Sequence, residues 1–82
     1  MEVILYSRPG CHLCEEAAAM LERLSRETGL VWQEANIEDD EALLARYHLA
    51  IPVVAVGGQD VLSAPIEEET LQRALIRPLA TG

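Results

Sequence analysis

The only two cysteines of this 82-residue chain, Cys11 and Cys14, are three positions apart in the stretch YSRPGCHLC at residues 6–14. Two cysteines at this spacing can form a redox-active dithiol, supply part of a zinc site, or fill small spaces in a core. Because different kinds of site share the C-x-x-C spacing, the chemistry has to be inferred from the elements that position the two sulfurs.

A strand and a helix are predicted on either side of a turn that precedes the pair. Residues 3–6, VILY, form a short apolar run, and the break SRPG at residues 7–10 indicates that a buried strand ends in a turn. Beyond the turn, apolar residues recur at helical spacing, at Leu13, Ala17, Met20, Leu21 and Leu24. Gly29 is placed to end this helix. Cys11 and Cys14 therefore lie at the start of a helix.

The remainder of the chain predicts three more strands and two more helices. The predicted elements are strands at residues 30–36, 53–56 and about 59–62, a second helix between a cap at Asp39 or Asp40 and a stop at Pro52, and a third helix from about Pro65. Gly57-Gly58 suits a tight hairpin turn between the last two strands. The residues expected to face the core are Leu43, Leu44 and Tyr47 in the second helix and Ile66, Leu71, Leu75 and Ile76 in the third.

The predicted order βαβαββα defines an α/β fold. The first β-α-β unit should be a right-handed crossover between parallel strands, and the hairpin makes the last two strands antiparallel. We therefore predict a four-stranded mixed sheet with three helices, formed by a single domain over residues 1–82.

The two sulfurs are not equivalent at the start of a helix. Side chains at i and i+3 have Cβ atoms roughly 5–6 Å apart, which small adjustments can bring to disulfide distance. Cys11 lies over unpaired backbone N–H groups and the positive end of the helix dipole, which stabilise a thiolate. Cys14 is one turn further in and more covered. We therefore expect Cys11 to attack a substrate disulfide and Cys14 to resolve the mixed disulfide that forms.

Ionisable neighbours on the same helix act on Cys11 in opposite directions. His12 would add positive charge beside the thiolate when it is protonated, whereas an exposed histidine here can also be only a tolerated polar residue. Glu15 and Glu16 add negative charge and oppose thiolate formation.

A zinc site and a purely structural role fit the pair less well. A structural zinc ion normally needs four ligands, and besides the two cysteines the sequence offers only His12 and His48 as histidine ligands. His12 lies between the cysteines, so a site within one chain is improbable, although two chains could share a metal through Cys11 and Cys14. A helix start after Pro-Gly is also a poor place to bury small apolar groups. The redox interpretation ranks first and the shared metal second.

The charge of the chain excludes some partners. It has no lysine, six arginines and 14 acidic residues, so its formal net charge is −8. This excess repels phosphate backbones and anionic lipids, so we expect no nucleic-acid and no membrane partner. No apolar run approaches the roughly 20 residues of a membrane span, and residues 1–6 do not read as a secretory signal. We expect a cytoplasmic monomer, in a compartment where structural disulfides are rare.

Two segments together resemble a known family. CHLCEEA at residues 11–17 and NIEDDEALLARYHLAIPVV at residues 36–54 are similar to small glutaredoxin-like (DUF836-type) thiol proteins of the thioredoxin-fold superfamily. The similarity in element order covers nearly the whole chain. It implies a thioredoxin-like, glutaredoxin-like fold and the activity of a thiol–disulfide oxidoreductase or electron carrier.

The resemblance also implies how a substrate is bound. It implies a cis peptide bond before Pro52, in a loop that lies against the cysteines, and pairing of the Ile51 backbone with an extended substrate segment. Arg8 stands where glutaredoxins carry a basic residue that can meet a glutathione carboxylate. We therefore interpret Arg8, His12, Ile51 and Pro52 as substrate-binding residues and Cys11 and Cys14 as the catalytic pair, with no metal ligands.

One segment departs from the glutaredoxin pattern. Glutaredoxins carry a Gly-Gly and an Asp between the fourth strand and the last helix, which hold the glutamyl end of glutathione, whereas residues 63–66 here read SAPI. Gly57, Gly58 and Asp60 lie earlier, in the predicted hairpin. We expect no bound cofactor, protein or small-molecule disulfides as substrates, and either a thioredoxin-type reductase or glutathione as electron donor. The alternative is a binding module of the same fold with little turnover.

Overall fold

The computed structural model describes residues 2–81, and the side chains of residues 2–75. Its strands are β1 (Val3–Ser7), β2 (Trp32–Asn36), β3 (Val53–Val56) and β4 (Gln59–Ser63). Its α-helices are α1 (His12–Thr28), α2 (Glu41–Tyr47) and α3 (Glu68–Thr81), and a 3-10 helix, Ile37–Asp39, lies between β2 and α2. The predicted order βαβαββα is confirmed.

The four strands form one mixed sheet in the order β2-β1-β3-β4. β1 and β2 are parallel, and β3 is antiparallel to both β1 and β4. The register pairs Ser7 with Asn36 and Leu5 with Glu34 across the parallel strands, and Tyr6 with Val53 across the antiparallel pair. The end of β1, which leads into the cysteine segment, therefore lies between the end of β2 and the start of β3.

The core has one part on each side of the sheet, as the alternation of β1 requires. Val3 and Leu5 point towards α1 and α3, whereas Tyr6 points to the opposite side. The larger cluster contains Val3, Leu5, Ala17, Leu21, Leu24, Leu30, Val54, Leu71 and Leu75. The smaller one contains Ile37, Tyr47 and Val53, with Leu43 packed against it. Leu44 is exposed, so the prediction that it faces the core is wrong. The larger cluster is entirely aliphatic, the smaller one includes the aromatic Tyr47, and β1 lies between them.

Helices α1 and α2 begin and end at the residues expected from capping chemistry. Gly29 has φ 78° at the end of α1, and its N–H donates to the carbonyl oxygen of Ser25 at 2.8 Å. Asp40 caps α2, because its Oδ1 accepts from the N–H of Ala42 at 2.8 Å. Since α1 spans His12–Thr28 and ends before Gly29, the two cysteines lie at its opposite end.

The third helix begins later than predicted. Its first hydrogen bond runs from the N–H of Leu71 to the carbonyl oxygen of Glu67, so the predicted start near Pro65 is wrong. The chain has first to leave the sheet, and Ala64 still donates to the carbonyl oxygen of Ala50 at 3.5 Å. Leu71 and Leu75 are buried as predicted, and the prediction for Ile76 lies outside the described side chains.

The two glycines of the hairpin have the expected geometry. Gly57 and Gly58 have φ of 59° and 86°, which matches a primed two-residue turn.

Among the helices formed by residues 2–81, none combines the length and the apolar character that crossing a bilayer requires.

Candidate functional site

The two cysteines meet at the start of α1. Their sulfurs form a disulfide, and their Cα atoms are 5.2 Å apart. Cys11 is the N-cap residue, with extended backbone at φ −97°, and the main-chain N–H of Cys14 donates to its Sγ at 3.2 Å. The predicted placement of the pair over the helix start is confirmed, and the capping atom of this helix is a sulfur instead of an oxygen.

The two sulfurs differ in burial as well as in hydrogen bonding. Cys14 lies in the first turn of α1 and is 1% exposed, whereas Cys11 is partly open to solvent. A disulfide that approaches from solution therefore reaches Cys11 first. When the pair is reduced, the helix N-terminus and the N–H of Cys14 stabilise negative charge on Cys11.

His12 lies between two carboxylates of its own helix. Its Nδ1 is 3.8 Å from Oε2 of Glu15, and its Nε2 is 3.5 Å from Oε1 of Glu16. The His12 side chain is 82% exposed. If the ring is protonated, these carboxylates partly offset its charge, so its effect on Cys11 is weaker than that of an unpaired cation.

The loop before β3 reaches the same end of the sheet. Ile51–Pro52 is a cis peptide bond, as the resemblance implied, and Pro52 is fully buried. Because Val53 pairs with Tyr6, Pro52 lies next to the end of β1 from which the cysteine segment departs. The N–H of Ile51 donates to the carbonyl oxygen of Tyr47 at 3.1 Å. The backbone N–H of Ile51 is therefore already hydrogen-bonded within the chain.

Tyr47 fixes the end of α2 beside this loop. Its hydroxyl donates to Oδ1 of Asp60 at 2.9 Å, and its ring stacks on that of Tyr6 at 4.4 Å between centroids. The guanidinium of Arg46 lies 5.2 Å from the ring centroid and 3.7 Å from Oδ2 of Asp60. Burial, followed by the hydrogen bond and charge of Asp60, raises the pKa of Tyr47 above 10.0. Tyr47 was predicted only as a core residue.

A cavity of about 400 Å³ lies beside Cys14, between the ends of β1 and β2 and the start of α1. Ser7, a buried residue at the end of β1, donates from Oγ to Oε2 of Glu34 at 2.7 Å across the parallel strands. Arg8 also lines the cavity, and its Nη2 is 3.5 Å from Oε2 of Glu38. The lining residues are Ser7, Arg8, Pro9, Gly10, Cys14, Glu15, Glu34 and Asn36.

The structure thus brings Arg8 and Cys14 to one cavity, with Ile51 and Pro52 on the other flank of β1. Reasoning from the sequence did not single out Ser7 or Glu34. The signal that could have found them is the crossover itself, since the carboxyl ends of parallel strands meet at one edge of a sheet. Ser7 ends the first of these strands, and Glu34 lies near the end of the second.

The described part of the chain holds no group of three or more His, Cys, Asp or Glu side chains that could bind a metal ion. This finding concerns one chain. A metal shared between two chains through Cys11 and Cys14 stays a prediction.

The sequence matches a family model along nearly its whole length. The model is that of the glutaredoxin-like domain (DUF836), and it matches residues 2–76. No curated protein matches the chain.

Solved structures of similar fold include a structural-genomics target from X. campestris, a glutaredoxin and an oxidised thioredoxin. The X. campestris protein is 31% identical, with a TM-score of 0.77, and the match covers 92% of this chain and 96% of that one. A glutaredoxin from Archaeoglobus fulgidus is 25% identical, with a TM-score of 0.63, over 92% and 85% of the two chains. An oxidised thioredoxin from Plasmodium falciparum is 15% identical, with a TM-score of 0.66, over 94% and 79%. The last likeness shows the fold alone, which is thioredoxin-like.

Proposed function

This chain belongs to the glutaredoxin-like (DUF836) family, and from that membership we propose that it is a dithiol–disulfide oxidoreductase or electron carrier. Cys11 is the nucleophile and Cys14 the resolving thiol. The observation that carries the proposal is the asymmetry of the pair, in which Cys11 is accessible and accepts a hydrogen bond while Cys14 is 1% exposed.

The proposed reaction takes place in two exchanges. The Cys11 thiolate attacks one sulfur of a substrate disulfide, forms a mixed disulfide, and releases the first substrate thiolate. Cys14 then attacks the Sγ of Cys11, which forms the Cys11–Cys14 disulfide and releases the second substrate thiolate. The substrate gains two electrons, and the protein dithiol loses them.

Substrate docking is proposed at the Ile51–Pro52 loop. The N–H of Ile51 already donates to Tyr47, so an extended substrate segment would pair with the carbonyl oxygen of Ile51. A substrate N–H opposite this carbonyl would then hold the scissile disulfide near Cys11.

A substrate anion is proposed to meet Arg8 on the other flank of β1. Arg8 is 3.5 Å from Glu38, and both side chains are 44% exposed, so the ion pair is open to solvent. Exchanging this carboxylate for one on the substrate costs little, because exposed ion pairs contribute about 0–1 kcal/mol. The role of Arg8 is therefore one of recognition, and the electron transfer itself needs only the two sulfurs.

Two coupled assays test the proposal and identify the electron donor. One contains a thioredoxin-type reductase and NADPH, and the other contains glutathione, glutathione reductase and NADPH, each with a small disulfide as substrate. We expect turnover in at least one assay and none with Cys11→Ser. Because residues 63–66 lack the Gly-Gly and Asp that hold glutathione in glutaredoxins, we expect the first system to be the faster one. Undiminished activity of Cys11→Ser in the active assay would refute the proposed nucleophile.

A further inference from the structure

The hydrogen-bonded pair of Ser7 and Glu34 borders the cavity that also borders Cys14. Ser7 is 4% exposed, and among the described residues it is the one polar, non-aromatic residue classed as buried. In the parallel register Glu34 is opposite Leu5, so it lies on the face of the sheet that packs against α1. A carboxylate therefore occupies the side of the sheet from which Cys14 is approached.

The proposed resolving step needs an acceptor for the proton of Cys14. Only a thiolate attacks a disulfide efficiently, and Cys14 begins that step as a thiol. At 1% exposure this thiol has little direct contact with bulk solvent, so the acceptor has to lie within the adjoining cavity. Polar side chains form part of the cavity wall, and at about 400 Å³ the cavity is large enough to hold bridging water, through which a proton can pass.

Three ionisable side chains besides Cys14 line the cavity, namely Arg8, Glu15 and Glu34. Arg8 carries only donors and has Glu38 beside it, so it accepts no proton. The Glu15 side chain is 74% exposed and points towards His12, at 3.8 Å. Glu34 is also an exposed residue, but its Oε2 accepts from the buried Ser7 hydroxyl at 2.7 Å, so of the two carboxylates it is the one that a hydrogen bond ties to the sheet.

We propose that Glu34 accepts the proton of Cys14 across this cavity during the resolving step, and that Ser7 is a positioning residue that holds the acceptor. This role rests on the proposed function. The Cys14 S–H bond breaks, its proton passes to the Glu34 carboxylate, and the electron pair left on sulfur forms the bond to Cys11. The departing substrate thiolate or solvent then takes the proton from Glu34, so charge and atoms balance.

Removal of the carboxylate distinguishes this role from a purely electrostatic one. A negative charge near Cys14 opposes thiolate formation, so its loss alone would make the resolving step faster. Loss of a proton acceptor makes the same step slower. Glu34→Gln keeps an oxygen that can accept from Ser7, and the two roles therefore predict opposite signs for one variant.

The experiment follows the mixed disulfide directly. Reduced protein is mixed with 2-hydroxyethyl disulfide, a small neutral probe, and quenched in acid at successive times, and intact-mass measurement counts unmodified, adducted and oxidised protein. The appearance of the adduct gives the rate of attack by Cys11, and its disappearance gives the rate of resolution by Cys14. The variants are Glu34→Gln, Ser7→Ala, and Glu15→Gln as the matched control for the other carboxylate of the cavity.

We expect Glu34→Gln to slow adduct loss on the order of tenfold or more and not to slow adduct formation. Its adduct loss should accelerate about tenfold for each pH unit below the titration of the thiol, because only hydroxide remains as base, whereas the wild type should respond less steeply. Ser7→Ala should show a smaller slowing of the same step, and Glu15→Gln no slowing.

Adduct loss in Glu34→Gln that equals or exceeds the wild-type rate would overturn the role of Glu34. Equal slowing in Glu15→Gln would overturn it too, since the effect would then belong to any nearby carboxylate. If the wild type forms neither an adduct nor an internal disulfide, the proposed function itself fails, and this role fails with it.

Discussion

The main-chain N–H of Cys14 donates a hydrogen bond to the sulfur of Cys11 at 3.2 Å, so the buried cysteine helps to prepare the exposed one. This donor is one of the N–H groups that an α-helix leaves unpaired at its start. A Cys11 thiolate can take the place that an aspartate or serine oxygen holds at an ordinary N-cap, and it carries a full negative charge there. In the proposed mechanism, the backbone therefore activates the Cys11 nucleophile.

Replacement of Cys14 with serine should stop the reaction halfway. Cys14→Ser keeps the N–H that stabilises Cys11 but removes the resolving sulfur, so a mixed disulfide with the substrate should form and persist. Intact-mass measurement after exposure to a disulfide peptide should show one covalent adduct per chain, which dithiothreitol removes. Cys11→Ser serves as the control and should show at most slow labelling, because Cys14 is buried. Rapid release of the adduct from Cys14→Ser would contradict the assignment of the resolving thiol.

Two carboxylates near the start of α1 should restrain the reactivity of Cys11. Glu15→Gln with Glu16→Gln removes negative charge from exposed positions, where each charge is worth about 0.3–0.5 kcal/mol. Alkylation of reduced Cys11 by iodoacetamide should therefore be about three- to fivefold faster than in the wild type. The rate is best measured at a pH where Cys11 is still mainly a thiol, because a change in its thiolate fraction then appears directly in the rate.

A matched control separates this local effect from the change in net charge. Glu22→Gln with Glu27→Gln removes the same charge from positions two and three turns further along α1. The alkylation rate of this control should stay near that of the wild type, since solvent and salt screen the more distant charges. Equal acceleration in both double variants would show that overall charge, and not proximity to Cys11, governs the rate.

The elements that could be predicted from sequence are those whose ends carry their own signals. Gly29 ends α1 and Asp40 caps α2 because these residue types satisfy the free groups at helix ends. The start of α3 was placed too early, at Pro65, because a proline at a first turn is only permitted there and does not by itself begin a helix. The hydrogen bond between Ala64 and Ala50, which keeps that segment at the sheet, has no local signal.

The site could be predicted where it is local and could not where it depends on strand register. Cys11 and Cys14 share one helical turn, so spacing alone brings their sulfurs together. Ser7 and Glu34 are 27 positions apart, and Tyr47 and Asp60 are 13 apart. Both contacts require a particular alignment of neighbouring elements. A slip of one residue in its strand would turn Glu34 or Asp60 to the other face of the sheet.

The left-handed backbone at Gly29 should make this position sensitive to any side chain. Gly29→Ala is expected to lower the free energy of unfolding by about 1–2 kcal/mol, because φ is 78° and an L-residue is strained there. A Cβ at this position would meet no atom within 4 Å, so the loss would be conformational and not steric. Urea unfolding measures it, and Gly29→Asn should cost less, since asparagine tolerates this conformation. Equal losses in the two variants would contradict a conformational origin.

Loss of the Tyr47 hydroxyl should destabilise the loop side of the sheet. Tyr47→Phe keeps the ring that stacks on Tyr6 and removes the hydrogen bond to Asp60, so we expect a loss of about 1 kcal/mol at neutral pH. Tyr6→Phe is the matched control, because it removes the hydroxyl of the other ring in the stack and leaves the Tyr47–Asp60 hydrogen bond in place. In urea unfolding, wild type and Tyr6→Phe should therefore have a higher free energy of unfolding than Tyr47→Phe. An unchanged urea midpoint for Tyr47→Phe would show that the hydrogen bond adds no net stability.

The raised pKa of Tyr47 predicts how stability changes in alkali. Burial and then Asp60 favour the neutral phenol in the folded chain, whereas the unfolded chain keeps the ordinary value of 10.0. Above that pH the unfolded chain releases the proton first, so the free energy of unfolding falls until the folded phenol also ionises. The contribution of Tyr47 is thus fully present below about pH 10 and is lost as pH rises through the folded pKa.

The test compares urea unfolding of wild type and Tyr47→Phe at about pH 8 and about pH 11. Other groups titrate in both proteins and cancel in the difference. The wild type should lose more stability than the variant over this interval, so the gap between them should narrow as the pH rises. If the difference in free energy of unfolding between the two proteins stays constant, Tyr47 ionises equally easily in the folded and unfolded chains. That result would refute the raised pKa of Tyr47.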